Sequence, residues 1–137
     1  IVREVAGLGL IGSIAAITVF FGLIALYCRG LQLLLHAVPL EHRARSPRSV
    51  WLMFGIPFNF IEDFFIVGDL GESLGRWGIL SATRLRVWQA LGYGWAALQL
   101  VSLLPGTIGF VGGGLTVVGW IAHWVLTASI RRGLPAR

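Results

Sequence analysis

The stretch Val50 to Leu70, VWLMFGIPFNFIEDFFIVGDL, decides how this chain is read. Its length suits one membrane-spanning helix, yet Pro57, Asn59, Glu62 and Asp63 fall near its middle. A bilayer core needs about 17 to 25 mostly apolar residues per spanning helix, and ionisable side chains within one mark a site. A proline in a helix interior lacks the N–H donor and clashes with the carbonyl four residues back, here that of Met53. A helix through this stretch is therefore expected to kink at Pro57. At about 100° per residue, Asn59, Glu62, Asp63, Ile66, Asp69 and Ser73 share one stripe, which must face protein or water.

Three further apolar runs flank this one: Val5 to Tyr27, Val87 to Leu104 and Ile108 to Ile130. With 56% hydrophobic and 12% charged residues, the chain falls well below the roughly one quarter charged residues of a soluble domain. The expected fold is all-α, a single integral membrane domain over residues 1–137. It reads as a polytopic transmembrane four-helix bundle with spans at about 5–27, 50–70, 87–104 and 108–130. The second helix is kinked, and Pro105-Gly106-Thr107 closes a C-terminal helical hairpin. Cys28 to Ser49 reads as a short interfacial helix and a turn, and Gly71 to Arg86 as a surface-lying connection. The first run exceeds a signal-peptide core and lacks a small-residue cleavage site, so it is read as a retained helix.

All eleven basic residues are arginine and the net charge is +5. They sit between and beside the apolar runs, which is membrane flanking and points away from nucleic acid. With four spans, seven arginines share the side of both termini and four lie opposite, which favours both termini in the cytoplasm. If Val50 to Leu70 instead enters and returns at Pro57, the split becomes ten against one. Arg43, Arg45 and Arg48 form a basic loop that either binds anionic lipid headgroups or is merely solvated.

Gly7 and Gly12 in the first run, and Gly109 and Gly113 in the last, suit close helix packing. Gly7 to Gly12 also spells G-x-G-x-x-G, but no strand precedes it and an unbroken apolar run follows, against a dinucleotide site. The single Cys28 excludes an intramolecular disulfide and a cysteine metal cage.

Ser46-Pro-Arg-Ser-Val-Trp-Leu52, Ile56-Pro57-x-Asn59, Ile66-Val67 and Leu70-x-x-Ser73-Leu74 resemble the pattern of an uncharacterised family of small bacterial membrane proteins, a domain of unknown function with four helices. The later landmarks are Pro105 to Gly109 and His123-Trp124. The resemblance covers most of the chain from Ser46 onward and implies four full spans in an inner membrane. It carries no activity. Glu62 and Asp63 stand where the family has apolar residues or Trp, and His123 where it has Tyr.

These departures define the candidate polar intramembrane site: Asn59, Glu62, Asp63 and His123. Glu62 and His123 lie at similar distances from the ends of their runs, so Glu62 or Asp63 is expected to hydrogen-bond His123, with Tyr93 and Arg84 as other partners. Such a pair is either a proton or cation relay or a polar latch fixing helix register. Only His123 lies within a run, so one chain does not supply two intramembrane haem ligands. No catalytic set, metal cluster or cofactor motif is visible. The expected function is that of a non-catalytic accessory or structural subunit on a larger energy-transducing membrane complex. The alternative is a small transporter or channel, a homo-oligomer moving protons or cations along the Glu62/Asp63 stripe. Membrane lipids and other membrane subunits are the expected partners.

Overall fold

The computed structural model describes residues 9–55 and 59–134, the side chain of Asn59 excepted. Among these residues the chain is all-helical. Four α-helices, α1 (Gly9–Ala37), α2 (Asn59–Trp77), α3 (Ala82–Ser102) and α4 (Gly106–Arg132), are joined by two 3-10 segments, Leu40–His42 and Pro47–Phe54. Of these, α1 and α4 are long and apolar enough to cross a membrane; α2 is interrupted by Glu62, Asp63, Asp69, Glu72 and Arg76, and α3 is diluted by Gln89, Gln99 and its glycines and arginines. The four-span pattern of the sequence is thus supported only in its helices.

The first helix does not end at Tyr27 and no separate interfacial helix follows. It runs on to Ala37, because Tyr27, Cys28, Leu31, Leu34 and Leu35 recur at helical spacing and are all buried, while Arg29 points outward. Arg43 closes its C-terminal end, donating from Nε to Val38 O and from Nη2 to His36 O, both at 2.8 Å. These carbonyls have no partner within the helix.

Val50 to Leu70 is not one kinked span. Ser46-Pro47 opens a 3-10 arm that ends at Phe54, α2 begins at Asn59, and Pro57 lies outside the described residues. The arm climbs along α1 toward its N-terminal half: Trp51 Nε1 donates to Gln32 Oε1 at 3.1 Å, Cys28 Sγ meets Met53 Sδ at 3.4 Å, and Phe54 stacks on Phe21. The second helix then returns, since Ser73 Oγ near its end accepts from Ala44 N at 2.9 Å. The arm and α2 therefore run in opposite directions.

The connection expected from Gly71 onward is instead the last two turns of α2. Gly78, at φ 68°, stops the helix and its N–H bonds Leu74 O at 3.1 Å. Ser81 then caps α3, accepting from Arg84 N at 3.3 Å. The expected C-terminal hairpin forms, with Gly106 at φ 75° turning α3 into α4.

Consecutive contacts fix the directions. Gly71 faces Gln89 and Gly75 faces Leu85, so α2 and α3 are antiparallel; Gly112 faces Val101 and Arg84 Nη2 bonds Ser129 Oγ, so α3 and α4 are too. The C-terminal ends of α1, α2 and α4 therefore meet the start of α3. Arg29, Arg43, Arg45, Arg48, Arg76, Arg84, Arg86, Arg131 and Arg132, all the described arginines, gather toward that end. The starts of α1 and α4 and the end of α3 form an uncharged end. Gly9 and Arg132, the outer ends of the two most apolar helices, lie toward opposite ends of the bundle.

The core fills the arginine-rich half. Tyr27, Leu31, Leu34, Leu35, Val50, Ile66, Leu70, Leu74 and Trp88 are buried there. Beyond it, Leu10, Ile11 and Phe20 on α1, and Ile108, Phe110 and Val118 on α4, are exposed.

Candidate functional site

Two polar layers lie inside the bundle, an outer one between α2 and the segment that leads into the arm and an inner one among the four helices. The outer layer is centred on Arg45, whose side chain is only 10% exposed. Its guanidinium bridges Glu62 and Asp69, with Nη1 to Asp69 Oδ2 at 3.3 Å, while Nε donates to Ser49 Oγ at 2.7 Å. Glu62 and Asp69 are two turns apart on one face of α2, so one long arginine just before the arm reaches both. Ser73 Oγ, one turn further on, donates to Asp69 O at 2.6 Å. These contacts tie the arm to α2 and hold the reversal in register.

The inner layer is built by all four helices. Tyr27 of α1 is ringed edge-on by Trp95, Trp120, His123 and Trp124, with centroids 5.7 to 6.1 Å away. Its hydroxyl pairs with His123 Nδ1 at 2.8 Å. Trp88 lies against the imidazole at 4.6 Å and donates from Nε1 to Thr127 Oγ1, which in turn donates to His123 O. Asp63 is buried and accepts from Gln99 Nε2 at 2.9 Å. Asp63 Oδ1, Trp95 Nε1 and His123 Nε2 are buried without a hydrogen-bond partner. Whichever tautomer His123 adopts, Nε2 is left over. An unsatisfied buried polar atom costs about 1 to 3 kcal/mol.

The carboxylate–histidine pair expected from the sequence is not formed. Glu62 binds Arg45, Asp63 binds Gln99 and His123 binds Tyr27. The error lies in the helix ends. Since α2 continues to Trp77, Glu62 is about 22 Å from its end, whereas His123 is about 14 Å from Arg132. The α2 residue level with His123 is Val67: a Cβ built on Gly92 would lie 2.7 Å from a Val67 methyl and 3.0 Å from His123 Nε2. The single inward stripe also divides, with Glu62, Asp69 and Ser73 facing the arm and Asp63 facing α3. Tyr93 stacks on Phe64, and Arg84 bonds Ser129.

Tyr27, Gln99, Trp95 and Trp88 were not among the expected site residues. Trp88, Gly92, Trp95 and Gln99 do recur at three- and four-residue spacing, so the signal for one inward face of α3 was present. The basic loop is corrected as well: Arg45 is an internal ion pair and Arg43 a helix cap, leaving Arg48 exposed and unpaired among the described residues. Among the packing glycines, Gly109 sits against Leu104 O and the Ser102 backbone, but its tight companion is Gly112 against Val101 and Ser102. Gly113 has only Ser102 Cβ, at 3.7 Å. Gly7 lies outside the described residues, and Gly12 falls on the half of α1 where no residue is buried. No three of His, Cys, Asp and Glu gather to hold a metal ion among the described residues.

No family model, curated protein or solved structure matches the chain.

Proposed function

We propose that this chain is a non-catalytic integral protein of the bacterial inner membrane, an accessory subunit packing on a larger, energy-transducing membrane assembly. The observation that carries this reading is α1: its most apolar 18-residue window has no residue buried within the protein. An apolar surface of that extent requires lipid or another protein against it. The gathering of the arginines supports a cytoplasmic placement for their end. In this topology α1, α3 and α4 cross the bilayer, and the arm with α2 enters from the cytoplasmic side and returns. Non-helical backbone at membrane depth is tolerated where protein covers it, and Val50 and Met53 of the arm are buried. Purification from native membranes under mild detergent is expected to bring other membrane subunits down with the chain in fixed stoichiometry. Recovery only as a free monomer overturns the reading.

A second reading, proton or cation movement through a small homo-oligomeric transporter or channel, is favoured by the unpaired Asp63 Oδ1 and His123 Nε2. Proteoliposomes holding the chain are then expected to pass protons or cations, and Asp63→Asn with Glu62→Gln abolishes the flux. Wild-type vesicles as tight as empty ones sink it.

A further inference from the structure

The side chains of α1 and α4 leave a cleft of about 260 Å³ between them at the arginine-rich end. Arg29 and Arg131 line its two walls, with Leu26, Gly30, Trp124 and Thr127 between them. Neither arginine forms an ion pair among the described residues; Arg29 donates only to the neutral Gln32 Oε1, at 3.1 Å. Trp124 Nε1 also has no acceptor among the described residues, and it faces Gly30, where a Cβ would sit 3.7 Å away. Toward the uncharged end α1 has no buried residue before Tyr27, and the exposed side chains beside the cleft, Leu23, Leu26, Ile121 and Val125, are apolar.

Two guanidiniums without counter-charges, one free indole donor and an apolar runway describe a phosphate diester attached to an acyl chain. Arginine forks match phosphate oxygens, and a tryptophan N–H at the membrane interface bonds headgroup or ester oxygens. The position along the helices agrees: twenty uncharged residues, Gly9 to Cys28, precede Arg29, enough for the roughly 30 Å hydrocarbon core. We propose that this cleft binds one anionic phospholipid, its phosphate between Arg29 and Arg131 and an acyl chain running between α1 and α4 into the bilayer. The proposal rests on the membrane reading above. It moves the lipid contact away from the basic loop, where two of the three arginines are engaged internally.

Native mass spectrometry of the full chain in detergent, titrated with phosphatidylglycerol or with phosphatidylcholine, tests it. The wild type is expected to retain one phosphatidylglycerol in preference to phosphatidylcholine. Arg29→Gln with Arg131→Gln is expected to weaken that adduct about tenfold. Gly30→Leu, which fills the cleft and keeps both charges, is expected to remove it, while Arg132→Gln, outside the cleft, leaves it in place. No preference in the wild type overturns the proposal without any variant having to fold. An equal loss in Arg132→Gln, showing diffuse charge attraction, overturns it too. The membrane reading is checked separately in intact cells with an impermeant maleimide, for which the buried Cys28 is silent. Thr107→Cys is expected to label and Glu41→Cys not to. Labelling of both or neither sinks the topology, whereas the expected labelling without lipid preference sinks the cleft alone.

Discussion

Replacing Gly109 with alanine is expected to open the α3–α4 hairpin, whereas the same change at Gly113, four residues on, is expected to be nearly silent. A Cβ at Gly109 runs into Leu104 O and approaches Ser102 O at 3.1 Å. Both are backbone atoms of the turn, so no rotamer change relieves the clash. Overpacking of this kind costs about 1 to 3 kcal/mol and more where the backbone must move, and the upper end is expected here. Gly113 meets only Ser102 Cβ at an ordinary contact distance, and alanine also favours helix over glycine by about 1 kcal/mol. Unfolding in mixed micelles with increasing SDS, followed by far-ultraviolet circular dichroism, reads the difference. Equal losses at the two positions would count against the hairpin geometry.

The second large effect is expected at Arg45. Arg45→Met keeps much of the side-chain volume but strands Glu62, which is 20% exposed, and Asp69, which is 37% exposed. Breaking a buried ion pair from one side costs about 3 to 5 kcal/mol. Solvent screening at Asp69 places this case at the lower end, about 3 kcal/mol. Adding Glu62→Met is expected to recover most of the loss, because an apolar replacement of both partners is often neutral. Arg48→Met, at an exposed position of the same loop, is the control. If it destabilises as much as Arg45→Met in the same SDS titration, the bridge is not what pins the arm to α2.

Much of the helical framework was legible because its boundaries are chemical and local. Pro105-Gly106 marks the turn between α3 and α4 without reference to the rest of the molecule. The boundaries that failed are those set by a distant neighbour. Arg29 looked like the end of a span, yet Leu31, Leu34 and Leu35 continue the helix because the arm and the other helices cover them. Gly71 and Gly75 looked like a loop, yet each admits a side chain of α3 against α2. The carboxylates were legible as a site, but their partners were not. A seven-residue error in the end of α2 moves a side chain by about 10 Å, enough to exchange His123 for Gln99.

The sequence by itself determined the all-helical class and the apolar character of α1 and α4. These follow from composition and period, which need no knowledge of what lies across from a residue. Only the tertiary structure decided that the second apolar run reverses, that the described arginines gather at one end, and which partner each buried polar group takes. Helical spacing fixes the face a residue lies on. Its depth against another helix depends on where both helices stop, and those stops are made by packing.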